Sequence, residues 1–185
     1  MKILHSEEEF TGKSSVVALG MFDGVHIGHQ KLIRTAVQMA KDLDAQCVVC
    51  TFDRHPLSVI RPESAPETLL TLRENMEKFE QLGADAALIK PFTKEFAGMC
   101  PEDYLELLVD RLKAKVIVIG ENYTFGRGGR GNAEMIRSLS TKYGYRAKIV
   151  EPVCDGEGMV SSSRIRALLR EGRTEEAQKL LDIRE

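Results

Sequence analysis

Short apolar runs alternate with amphipathic stretches along nearly the whole chain of 185 residues, and this alternation restricts the possible folds more than any other feature. Residues 15–19, 47–52, 86–90, 116–119 and 145–150 are short, apolar and mostly rich in β-branched side chains. Such runs read as strands buried on both faces. Leu32, Ile33, Ala36, Val37 and Ala40 form a helical stripe within residues 31–42. Thr71 and Glu74 make a capping box that opens a helix running to Leu82, with Gly83 just past its end. Residues 101–112 predict a helix with Pro at its start, and Asn132 caps another that runs through Tyr143 to Gly144. Two short helices, residues 162–170 and 174–181, finish the chain. Strand and helix repeated with right-handed crossovers predict an α/β fold: a parallel sheet of about five strands with helices on both faces. Ligands in such sheets bind beyond the carboxyl ends of the strands. That rule selects the loops after Leu19, Phe52, Ile119 and Val150. Residues 54–66 are long, Pro-rich and aperiodic, and read as a functional loop.

Composition removes several classes of function. A net charge of −2, from 26 basic and 28 acidic residues, gives no reason to expect nucleic acid or an anionic membrane as partner. No apolar run approaches the ~20 residues a membrane span needs, and the N-terminus has no apolar signal region. A cytoplasmic location is the resulting expectation. Cys47 and Cys50 form a C-x-x-C, which suggests zinc or redox chemistry. They fall in a predicted strand, however, where residues three apart point to opposite faces, so the core reading is preferred.

Four segments carry residues suited to chemistry. Residues 20–30 follow the first strand and open a helix, whose N-terminal N–H groups form an anion site. Gly24 and Gly28 allow tight turns and close approach to phosphate. His26 and His29 share one face of the first turn and can donate to phosphate oxygens. Asp23 is suited either to hold magnesium through water or to orient a histidine. Residues 160–166 read either as a capped helix or as a second phosphate site, in which Ser163 joins Arg164 or Arg166. The glycine-rich stretch 120–131 is a flexible connection or, through Tyr123 or Phe125, a ring-binding loop. It is not a Walker A loop, because no Gly-Lys-Ser/Thr follows. His55, after the second strand, is a turn residue or a catalytic one.

Residues 20–30, 51–56, 70–78, 120–126 and 161–166 together resemble the FAD synthetase (FMN adenylyltransferase) module of bacterial bifunctional riboflavin kinase/FAD synthetases. The resemblance covers essentially the whole chain. It implies a Rossmann-like fold of the nucleotidyltransferase type and the reaction of ATP with FMN to give FAD and pyrophosphate, with Mg2+. It implies His26, His29, Ser163 and Arg166 as the catalytic set. Gly20, Phe22, Asp23, Gly28 and Ser162 would lie against ATP, and Asn122, Phe125, His55 and Tyr104 against FMN. Ser163 stands where Thr is usual, which keeps the hydroxyl, and Arg54 where Pro is common. The bifunctional proteins continue into a kinase barrel beyond the position of Glu185, so the expectation is a single domain over residues 1–185. The chain is then either a single-function enzyme, with FMN from a separate riboflavin kinase, or an excised domain of a longer protein. Two rival readings stay open: a related transferase with a different phosphate acceptor, and a non-catalytic flavin or nucleotide module.

Overall fold

A computed structural model describes residues 1–183. In chain order the strands and helices are β1 (Lys2–Leu4), β2 (Ser15–Leu19), α1 (Ile27–Asp42), β3 (Gln46–Phe52), α2 (Leu57–Ile60), α3 (Leu72–Gln81), β4 (Ala86–Lys90), α4 (Lys94–Ala97), α5 (Pro101–Leu112), β5 (Ala114–Gly120), α6 (Ala133–Tyr143), β6 (Arg146–Val150), β7 (Cys154–Asp155), β8 (Gly158–Met159), α7 (Ser162–Arg170) and α8 (Thr174–Leu181). The main sheet has six strands in the order β1-β4-β3-β2-β5-β6, and every pairing is parallel. The chain winds outward from β2 through β3 and β4 in one direction, and through β5 and β6 in the other. The switch lies between β2 and β5, and crevices at such points receive ligands.

Side chains alternate across the sheet. Val17, Leu19, Val48, Cys50, Ile117 and Ile119 face α5 and α6, whose Leu105, Leu108 and Ile136 are buried against them. Val16, Ala18, Cys47, Val49, Val116 and Val118 face α1 and α3 through Ile33, Ala36 and Phe79. The two cysteines therefore lie on opposite faces of β3, as the period of two requires. Burial pushes the Cys47 thiol up to about 12 and the Cys50 thiol higher still, so neither is a ready thiolate. Among the described residues no cluster of three or more His, Cys, Asp and Glu could hold a metal, and no helix is long and apolar enough to cross a membrane.

The capping box of Thr71 and Glu74 is formed, Asn132 caps α6, and Gly144 ends it in the left-handed conformation. Three elements depart from expectation. β1 has three residues, of which Leu4 alone is buried, so it offers no periodicity and exists because β4 pairs with it. The β7–β8 hairpin is equally short. The loop over residues 54–66 contains α2 and a 3-10 turn at Pro62–Ser64.

Candidate active site

The site begins where β2 ends. Phe22 adopts a left-handed φ of 52° and is fully buried. Its ring meets Phe79 at 5.5 Å and His29 at 5.3 Å, both edge-on. Phe22 thus supports a site residue from below. Gly24 N–H donates to Asn75 Oδ1 (3.2 Å) and Gln30 Nε2 donates to the Val25 carbonyl (3.0 Å), which fix the turn from two sides.

His26 is the N-cap of α1: its Nδ1 accepts from the His29 N–H at 3.4 Å. That bond places the ring proton on Nε2. The two imidazoles stack with centroids 3.7 Å apart and planes 18° off parallel. Gly28 leaves room beside the His26 ring, to which a Cβ would make a tight contact of 3.1 Å. Burial holds His26 down to about 4, its own backbone hydrogen bond opposes the shift, and the Lys78 charge adds to it. Burial, then the neighbouring His26, holds His29 well below the usual imidazole range. Both rings are neutral at pH 7, and His29 Nδ1 is buried with no partner among the described residues.

This depression sets a pH dependence of stability. An unfolded histidine takes up its proton near pH 6.5, whereas folded His26 does so only near 4. Above pH 6.5 both states are neutral and nothing is lost. Between about 6.5 and 4 the unfolded chain binds protons that the folded one refuses, so stability falls as pH falls. The melting temperature of His26→Asn should fall less steeply over that range, since Asn keeps the cap but does not titrate. Parallel slopes for variant and wild type would contradict the assignment.

α7 closes the other side. Ser161, rather than Ser162 or Ser163, is its N-cap and accepts from the Arg164 N–H. Ser162 Oγ donates to the Asp23 carbonyl at 3.0 Å, which leaves Ser163 exposed on the first turn. Arg166 donates from Nη2 to Asp23 Oδ2 and from Nε to the Glu67 carbonyl at 2.6 Å. Asp23 Oδ1 accepts from the Leu69 N–H at 2.9 Å. Both carboxylate oxygens are thus engaged, one by Arg166 and the other by the Leu69 N–H. Arg164 is also taken up. It forms a bidentate pair with Asp155 at 2.8 and 2.9 Å and reaches Glu157 at 3.1 Å. Of the two arginines weighed for phosphate, only Arg166 borders the site.

Two cavities result. The first, about 390 Å³, lies between the first turn of α1 and that of α7. His26, His29, Ser162, Ser163 and Arg166 border it, with Gly20, Phe22, Asp23 and Gly28. The second, about 410 Å³, is aromatic: Phe52, Phe92, Phe96, Tyr104 and Phe125 line it with Leu57. Tyr123 borders both. The four residues expected on the flavin side are divided between them. Tyr104 and Phe125 line the second cavity, but Asn122 and His55 border the first. Asn122 Nδ2 lies 3.6 Å from Met159 Sδ on the hairpin. His55 Nδ1 accepts from the Leu57 N–H at 3.2 Å, so it is a turn residue as well as a wall residue; burial and then Arg166 lower its pKa.

The glycine-rich loop is tied down at Phe125, whose N–H and carbonyl pair with Gly131 at 3.0 and 2.9 Å. The Phe125 ring lies over Gly131, where a Cβ would fall 2.6 Å from it. Phe125 is 7% exposed and packs into the core while presenting an edge to the cavity. Phe52, Phe92, Phe96 and Met159 escaped the sequence reading. Phe92 and Phe96 are spaced like a helical pair, and nothing local marks them as facing Tyr104.

The sequence model of the family described as FAD synthetase matches residues 9–164. The bifunctional riboflavin kinase/FMN adenylyltransferase of Bacillus subtilis (strain 168) is 36% identical over 169 residues, covering 90% of this chain and 53% of that protein. A relative from Geobacillus thermodenitrificans (strain NG80-2) is 31% identical over 182 residues, 98% of this chain and 97% of its own length. A crystal structure described as a macrolide-efflux protein from Streptococcus pneumoniae superposes with a TM-score of 0.84 at 32% identity, over 97% of this chain and 60% of that one. Pantoate-beta-alanine ligase from Francisella tularensis, at 13% identity and a TM-score of 0.56 over 97% of this chain and 86% of that one, shares the fold alone. The chain spans little more than half the length of the Bacillus relative.

Proposed function

The chain belongs to the FAD synthetase family, and from that premise we propose that it transfers the adenylyl group of ATP to FMN, forming FAD and pyrophosphate. The observation that carries the reading is the pair of adjoining cavities that share Tyr123: one lined by neutral histidines, a helix N-terminus and Arg166, the other by aromatic rings. The first suits a triphosphate and the second a large flat ring. A rival acceptor without an aromatic ring would leave the second cavity without a purpose.

The chemistry needs no protein nucleophile. An FMN phosphate oxygen attacks the α-phosphorus in line, a P–O bond forms, and the bond to the β-phosphate oxygen breaks to release pyrophosphate. The chain must hold two anions together and stabilise the charge that develops on the leaving group. His26 donates from Nε2, and the first turns of α1 and α7 add N–H dipoles. Arg166 is already oriented by Asp23 and Glu67, so it requires no reorganisation on binding. Mg2+ carried on the triphosphate would neutralise charge on the transferring phosphates. With both Asp23 oxygens engaged, the residues suit an ion that arrives on the nucleotide better than one held in a protein cage. We place the reaction in the cytoplasm.

Purified protein incubated with ATP, FMN and Mg2+ should yield FAD and stoichiometric pyrophosphate by chromatography and a coupled assay. FMN binding without FAD would leave the binding-module reading. Pyrophosphate release with a different phosphate acceptor, and none with FMN, would leave the related-transferase reading.

A further inference from the structure

Glu7, first residue of the 3-10 turn Glu7–Glu9, is 3% exposed. Both of its carboxylate oxygens accept from Lys90 Nζ at 2.6 Å. Lys90 ends β4 at the carboxyl edge of the sheet, and its ammonium stands 5.9 Å from the centre of the Phe96 ring. Phe96 meets three further rings of the second cavity, all edge-on: Phe52 at 5.5 Å, Phe92 at 5.8 Å and Tyr104 at 5.5 Å. Phe96 is therefore the ring through which this wall is joined. Neither Glu7 nor Lys90 lines either cavity, and Glu7 precedes the residues matched by the family.

An ion pair of this kind, with a buried carboxylate and a half-buried ammonium, is poor evidence for stability, because desolvation offsets the attraction and an apolar pair of similar volume serves as well. What an apolar pair cannot supply is a cation held at one place against an aromatic ring. We propose that Glu7 and Lys90 are positioning residues for the acceptor cavity: Glu7 fixes Lys90, and Lys90 holds the Phe96 ring in the orientation against which the flavin packs. The inference rests on the reading of FMN as acceptor.

Removing Glu7 alone leaves an unpaired ammonium and risks unfolding, so the informative protein is the double variant Glu7→Gln/Lys90→Met, which removes both charges together. Lys90→Arg keeps the cation and the pair. In the double variant KM for FMN should rise roughly three- to ten-fold, with kcat and KM for ATP unchanged, whereas Lys90→Arg should keep the wild-type KM for FMN. An unchanged KM for FMN overturns the inference, as does a parallel rise in both KM values with a lower Tm, which is the mark of a merely structural pair. Fluorescence titration of FMN, read without turnover, separates this inference from the acceptor reading. Equal FMN affinity in wild type and double variant removes the positioning role and leaves the acceptor standing. No FMN binding by wild type removes both.

Discussion

His29→Ala is expected to lower turnover by roughly 10²- to 10³-fold, the usual loss on removing one preorganised donor to a developing oxyanion, while FMN affinity changes little. The ring is held on two sides, by Phe22 edge-on and by His26 stacked at 3.7 Å, and the His29 backbone N–H in turn fixes the His26 ring through Nδ1. It borders the polar cavity and does not reach the aromatic one. Its Nδ1 lacks a partner among the described residues, and a buried polar atom left so costs about 1–3 kcal/mol. Steady-state kcat with saturating ATP and FMN, beside an FMN titration, tests the assignment. Near wild-type kcat, or a loss confined to FMN affinity, would sink it.

Phe125→Ala is expected to have two effects at once. The ring is 7% exposed and packs with Tyr104 and Tyr123 at 5.8 and 5.9 Å between centroids. Truncating a buried Phe typically costs about 3–5 kcal/mol, which for a chain of this size lowers Tm on the order of 10 °C. The same ring borders the aromatic cavity, where an aromatic pair is worth about 0.5–1.5 kcal/mol beyond area burial. FMN affinity should therefore fall several-fold beside the loss of stability, and ATP affinity should be largely kept below the new melting point. Calorimetric titration with each ligand and a melting curve distinguish the outcomes. Equal loss of both affinities would make Phe125 a core plug alone; an unchanged Tm would mean the ring is not part of the core.

The two variants differ because their positions were legible to different degrees. His26 and His29 lie on one helical turn after a strand, and a spacing of three residues is enough to put them on one face. Phe125 was marked by its place in a glycine-rich loop and by the family resemblance; whether it faced solvent, ligand or core depended on Gly131 pairing with it and on Tyr104 from α5. Asp23 was recognised as a site residue, but its pairing with Arg166 was not legible, because Arg166 reaches it across 143 residues of sequence. The Ser161–Ser163 run identified the start of a helix without telling which hydroxyl would cap it, which would tie down the neighbouring loop, and which would stay open.

What this sequence determined by itself is what is encoded within a turn or two of chain: five of the six sheet strands, the longer helices with their caps, the two-faced β3 that separates Cys47 from Cys50, and the histidine-bearing turn at the end of β2. Periods of 2 and 3.6, side-chain caps and glycines act locally, so they can be read locally. Tertiary structure alone decided the order of the strands and with it the switch point. It also decided the division of the candidate site into a polar and an aromatic cavity, the commitment of Arg164 to Asp155 and of Arg166 to Asp23, and the burial of Glu7 against Lys90, 83 residues away. Each of these depends on which apolar face packs against which, and a side chain's partner is chosen by that packing and not by its neighbours in the chain.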